Sequence, residues 1–273
     1  MFLFIVSSVG YADVTWNHHL CRQFSPTLCE SEGCTRDSIS QFTIHGLWPE
    51  YTDGYPTYCT DDTFSVKSLE KSTLNQMNCE WDSYTANTNF GSNEGFWAHE
   101  WEKHGTCSLT VLPTQEDYFS KALELNDKYD IDVVLQDAGI DMSGSTVATK
   151  EVQNALYDAF GVEGVVKCNR NSIKEVWMCV DKETYEPFAC PSSITNGCSS
   201  SVEFPVADGS VEPTCQQYFP SSSSSTTTTT TTPSSGDVGA PSSSSSSWSV
   251  VMRSSCMVGM QLLLFLFLYA YQG

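Results

Sequence analysis

In FTIHGLWPEY, residues 42–51, Phe42 and Ile44 alternate with Thr43 and His45. A period of two is that of a half-buried strand, so the apolar pair is expected in the core and His45 on the opposite face. A second run, IKEVWMCVD at 173–181, is rich in β-branched and aromatic residues and reads as another strand. Other segments follow a helical period. PTQEDYFSKALELNDKY opens with Thr114 and Asp117 at capping-box spacing. TKEVQNALYDAFG places Val152, Leu156, Ala159 and Phe160 on one face and stops at Gly161. Strands and helices do not alternate as βαβ units. The pattern therefore predicts an α+β fold, an antiparallel central sheet flanked by helices in a single disulfide-stapled domain.

One segment fits neither a solvated helix nor a core helix. FWAHEWEKHGTC, residues 96–107, crowds histidines, glutamates and a lysine among aromatic rings. The spacing predicts a helix over 94–104, capped by Ser92 or Asn93. At about 100° per residue, with His99 at zero, Lys103 falls near 40°, Glu100 near 100° and His104 near 140°. Four polar groups then share one side. Trp101, near 200°, packs on the core, and Glu102, near 300°, faces solvent. Two plainer explanations compete. One is a helix laced by i,i+4 ion pairs. The other is zinc, but His99 and His104 stand five apart rather than the four of H-E-x-x-H, with Lys103 at the i+4 place. In the strand, His45 is followed by Gly46, which lets the chain pass close to a ligand, and then by Trp48 and Pro49, a stiff aromatic wall.

Charge narrows the partners. The chain of 273 residues carries 13 Lys+Arg against 33 Asp+Glu, a formal net charge of −20. That balance repels nucleic acid and anionic membranes at long range, so any nucleic acid must be held by a small local site. Twelve cysteines point to an oxidising compartment. The first twelve residues, MFLFIVSSVGYA, read as a signal peptide cleaved before Asp13, the alternative being a buried strand. A catalytic domain is then expected over 13–219. Residues 220–248 are a Ser/Thr-rich stalk with too little apolar surface to fold. Residues 249–273 form an apolar tail. It reads as a GPI-attachment signal with its site among Ser243 to Ser247, as a marginal transmembrane anchor from about Val250, or as an artefact of gene prediction. Membrane attachment would run through this tail. The chain is expected secreted or on the extracellular face of the cell, with an acidic lysosome or vacuole as the alternative.

FTIHGLWP and FWAHEWEKHGTC resemble the two active-site segments of the ribonuclease T(2) family, secreted acid ribonucleases. The cysteine-rich run from Cys168 to Phe204 is similar to the plant-like members, and the likeness covers roughly Val14 to Phe204. The resemblance implies metal-free cleavage of single-stranded RNA through a 2′,3′-cyclic phosphate. His104 would be the base and His45 the acid, Lys103 and Glu100 would stabilise the pentavalent intermediate, and His99 would hold the phosphate. It also implies a base pocket of Trp48, Glu50 and Tyr55, with Phe96 at a second base site. Glu50 stands where fungal members often carry aspartate, which puts base preference in doubt. The implied disulfides are Cys59–Cys107, Cys168–Cys198 and Cys179–Cys190, with Cys21–Cys29 and Cys34–Cys79 as further pairings. Cys215 is left over, and Cys256 lies in the tail. No cofactor, metal or protein partner is expected, and the chain is expected to be a monomer. A rival from another class is a surface-anchored binding protein on a ribonuclease scaffold.

Overall fold

The computed structural model describes residues 16–51, 54–85 and 91–209. The expected leader at 1–12, the stalk at 220–248, the tail at 249–273, Cys215 and Cys256 lie outside these residues. No helix among the described residues is long and apolar enough to cross a membrane.

Strand β1 (Trp16–Phe24) runs into helix α1 (Ser25–Glu32), and β2 (Phe42–Tyr51) returns antiparallel along β1. The chain continues through α2 (Lys71–Glu80), α3 (Asn93–Lys103), α4 (Gln115–Lys128) and α5 (Ile131–Asp137). Short β3 (Thr146–Ala148) leads into α6 (Thr149–Phe160). Then come β4 (Val165–Asn169), β5 (Ser172–Val180), β6 (Pro187–Phe188) and β7 (Ser201–Glu203). The sheet order is β2-β1-β5-β7-β3, with β4 and β6 also pairing β5. Among the described strands every pairing is antiparallel except β5 with β7, which is parallel at Ser172 and Glu203. The α+β architecture is as the sequence pattern predicts.

Local chemistry sets the helix limits. Thr114 and Asp117 close the expected capping box at the start of α4, each side chain bonding the other's backbone N–H. Helix α6 ends at Gly161 in the left-handed conformation, φ 75°, which glycine adopts without Cβ strain. One apolar cluster joins α2, α3 and α4 to β1 and β2 through Trp81, Trp97, Trp101, Tyr118, Ile44 and Leu47. A second joins α5 and α6 to the rest of the sheet through Ile131, Val152, Leu156, Val166, Val176 and Val202.

Strand β2 departs from simple alternation. Phe42 and Ile44 are buried as expected, but so is Thr43. Cys21 opposes Gly46 while Arg22 opposes Ile44, so His45 is the extra, unpaired residue of a β-bulge. The bulge resets the parity, and Leu47, three residues past Ile44, is again in the core.

The disulfides Cys59–Cys107, Cys168–Cys198 and Cys179–Cys190 form as the resemblance implies. The other two pairings are corrected. Cys29 bonds Cys34, just past the end of α1, where Gly33 reverses the chain at φ 75°. Cys21 is a free thiol sealed within β1, between Gly46 and Trp177 on the neighbouring strands, and cannot reach a helix that begins beyond the strand end. Cys79 is disulfide-bonded, but not to Cys34.

Cys59–Cys107 ties the segment after β2 to the turn after α3 across 48 residues of chain. Replacing both cysteines by serine is expected to lower stability by about 2–4 kcal/mol. The check is urea unfolding of the double variant against wild type.

Candidate active site

Helix α3 starts at Asn93, one residue before the expected 94. Ser92 is the cap, its hydroxyl accepting the N–H of Gly95. The helix ends one residue sooner than expected, at Lys103. His104 is its C-cap, still donating its N–H to the carbonyl of Glu100 at 3.1 Å. Phe96, Trp97 and Trp101 are buried and fix the helix on the core. Glu102 is not free in solvent as the helical wheel implies, since it accepts the backbone N–H of Phe64 at 3.5 Å.

The bulge in β2 delivers His45 to the same place. Its backbone carbonyl is held by the indole N–H of Trp81 at 2.9 Å. Its side chain, 27% exposed, has Nε2 3.8 Å from Oε1 of Glu100 and Nδ1 2.9 Å from Oε1 of Glu175. Burial alone would lower the His45 pKa. The charge and hydrogen bond of Glu175, with Glu100 adding to them and Lys174 opposing, raise it above the ordinary value. Burial likewise works to raise the Glu175 carboxyl, but His45, the indole N–H of Trp177 and Lys174 hold it below the usual carboxylate range.

Glu100 is 1% exposed. Its Oε2 accepts the indole N–H of Trp48 at 2.7 Å. Burial pushes its carboxyl up to about 7, against the pull of His45, Trp48 and Lys103. Gly46 is required by this pair. A Cβ there would stand 2.1 Å from Oε2 of Glu100 and 2.3 Å from Nε1 of Trp48.

His104 has the opposite character to His45. The residue is 4% exposed, and its ring stacks on Trp48 with centroids 4.9 Å apart. Burial, with the neighbouring Lys103, His45 and His99, drives its pKa down to about 2. Its Nδ1 is buried without a hydrogen-bond partner among the described residues. Trp48 also meets His45, edge to face at 4.8 Å, so the indole touches both imidazoles. His99 lies 6.5 Å from His104, and burial with Lys103 and His45 lowers its pKa to about 4.

A cleft of about 170 Å³ is lined by His45, Phe96, His99, Glu100, Lys174 and Glu175, among others. The expected acid, phosphate ligand, buried carboxyl and second-site aromatic thus meet in one recess. The expected base His104, with Lys103 and Trp48, is not among the lining residues, although the charge of Lys103 reaches Glu100, His99 and His104. The residues expected to form the first base pocket have other neighbours or face solvent in this structure. Glu50 turns toward His19, 3.9 Å away, Tyr55 is 64% exposed, and one face of Trp48 is taken by His104. Neither motif points to Glu175 or Lys174. The signal for Glu175 is a carboxylate between Ile173 and Val176 in an apolar strand, a place where burial demands a partner. A triad of His19, Cys179 and Cys190 has ligand-like spacing, but the two cysteines are joined to each other.

The chain matches the model of the Ribonuclease T2 family over residues 9–190. It is 35% identical over 188 residues to ribonuclease DdI of Dictyostelium discoideum, covering 67% of this chain and 82% of that one. It is 32% identical over 198 residues to extracellular ribonuclease LE of Solanum lycopersicum, covering 68% and 85%. The crystal structure of RNase NT in complex with 5′-AMP superposes with a TM-score of 0.60 at 28% identity, over 70% of this chain and 98% of that one.

Gly46→Ala is expected to force Trp48 and Glu100 apart and to cost about 1–3 kcal/mol. Denaturant titration measures the cost, and a midpoint equal to wild type would show that the contact is slack.

Proposed function

The chain belongs to the ribonuclease T2 family and is an endoribonuclease, and we propose that it cuts single-stranded RNA without metal by transphosphorylation. In this reading the ribose 2′-OH attacks its own 3′-phosphate. His104 takes the 2′-OH proton, and the bond from phosphorus to the 5′-oxygen breaks as His45 protonates that oxygen. The product is a 2′,3′-cyclic phosphate, open to later hydrolysis.

The observation that carries the assignment is the opposite surroundings of the two imidazoles, a carboxylate 2.9 Å from His45 and a buried aromatic face against His104. A base must be neutral and an acid must hold its proton at the same pH. His104 is buried beside a cation, which favours its neutral form, and His45 is bonded to the ionised carboxylate of Glu175, which favours its cation. Glu100, raised to about 7, is a neutral carboxyl in acid and so does not repel phosphate. It can instead donate a hydrogen bond to a phosphoryl oxygen. Lys103 supplies positive charge nearby, and neutral His99 offers an N–H to the phosphate. His104 is covered by Trp48, so the indole has to shift before the ring can meet a 2′-OH. Base selection falls to Trp48, Glu50, Tyr55 and Phe96, which ring stacking and edge contacts suit for unstacked bases. Disulfides among the described residues support an oxidising, extracytoplasmic setting, secreted or at the cell surface.

Digestion of a short defined RNA tests this reading. Cleavage is expected to persist in EDTA and to leave cyclic phosphate ends, detected by mass. His104→Ala and His45→Ala are each expected to lower kcat/KM by about 10²–10⁴-fold. Retained cleavage in both variants would remove the paired-histidine mechanism. The pH dependence has a definite sign. His45 is raised and must be protonated, so activity is expected to be highest on the acid side of its titration and to fall as pH rises through it. A rate that climbs steadily from acid into the alkaline range would contradict this.

A further inference from the structure

Strands β2 and β5 are not neighbours, because β1 lies between them. Their backbones are therefore about 10 Å apart, two strand spacings. Side chains on such strands do not ordinarily touch. His45 and Glu175 nevertheless meet at 2.9 Å. Gln23 of β1 pairs with Thr43 on one side and Glu175 on the other, so Glu175 is level with a residue two before His45. The bulge at His45 closes the gap. A second irregularity sits beside Glu175, since Lys167 opposes Glu175 while Cys168 opposes Ile173, leaving Lys174 unpaired in that ladder. Two distortions of the sheet thus flank one hydrogen bond.

Resting on the ribonuclease reading above, we infer that Glu175 is a positioning residue for the acid: its carboxylate accepts Nδ1–H of His45, turns Nε2–H toward the cleft, and by its negative charge keeps that proton in place until the leaving oxygen takes it. In the step itself, the bond from phosphorus to the 5′-oxygen breaks and the Nε2 proton moves to that oxygen. The imidazole becomes neutral and keeps its Nδ1–H bonded to Glu175.

Glu175 is itself fixed. Its side chain is 8% exposed, and its second oxygen accepts the indole N–H of Trp177 at 2.7 Å. The other charged or titratable groups facing His45 are Lys174 on β5 and Glu100, His99 and His104 on or at the end of α3. Of these, Lys174 opposes the cation, and His99 and His104 are neutral. Glu100 is a weaker partner, since 3.8 Å is longer than a hydrogen bond and its Oε2 is occupied by Trp48. Among the described residues, Glu175 is left as the close carboxylate aligned with a ring nitrogen.

Nitrogen NMR of wild-type His45 and of Glu175→Gln tests this in the absence of RNA. In wild type, the neutral ring is expected to keep its proton on Nδ1, because Glu175 accepts it. The ordinary Nε2–H form would overturn the proposal even if no variant folds. In Glu175→Gln, both the His45 titration and the high-pH limb of kcat/KM are expected to move to lower pH by about one unit or more. On the far side of that limb, one unit is about a tenfold loss of rate, with much less loss in acid. Trp177→Phe removes the second hydrogen bond and leaves the charge, so its limb is expected at the wild-type position. Unchanged titration in Glu175→Gln, or an equal displacement in Trp177→Phe, would reduce Glu175 to packing. Absence of RNA cleavage by wild type would instead sink the ribonuclease mechanism and leave the NMR outcome to decide the Glu175 contact by itself.

Discussion

The cleft depends on one residue being out of step with its strand. Were β2 regular, His45 would pair with β1 and its ring would follow the pleat. The bulge frees it from the ladder, and the indole N–H of Trp81 holds the backbone that the ladder no longer does. From there the ring reaches Glu100 on α3 and Glu175 on β5 at once. Helix and sheet are thereby locked around the same imidazole. The next residue, Gly46, has to be small because the Glu100–Trp48 pair rests against its Cα.

Burial then separates two chemically identical side chains. Both His45 and His104 lose solvent, which disfavours the cation in each. What decides the outcome is the sign of the neighbours. His45 faces carboxylates and overcomes the burial cost, whereas His104 faces Lys103 and two other imidazoles and does not. The aromatic wall serves both results. Trp48 excludes water from His104 with its face and satisfies Glu100 with its N–H, so that a carboxyl can sit in the core with one oxygen still turned toward His45.

Sequence periodicity reveals what is locally determined. The α4 capping box, the Gly161 stop and the Ser92 cap each arise from residues a few positions apart. The polar side of α3 comes from helical spacing alone. Other features are not legible in this way. The bulge arises from a mismatch between two strands, which neither strand shows by itself. The Cys29–Cys34 bond depends on where α1 ends, and a wheel or a spacing rule does not fix that to one residue. Glu175 is visible only as a charge in an apolar run, because its partner lies 130 positions away and on the far side of an intervening strand. The arrangement of Trp48, Glu50 and Tyr55 also escapes the sequence, since it rests on side-chain choices made after the backbone is set.

The overall charge and the site favour the same conditions. A chain at −20 repels a polyanion, and the repulsion weakens as carboxylates take up protons in acid. The same fall in pH keeps His45 cationic and makes Glu100 neutral, removing a negative charge from the floor of the cleft. His104, held down to about 2, stays a base through most of that range. An acidic surface that hinders the approach of RNA at neutral pH thus hinders it least where His45 is cationic and His104 neutral. Surface and cleft respond to acid in the same direction, one through many exposed carboxylates and the other through a few buried groups.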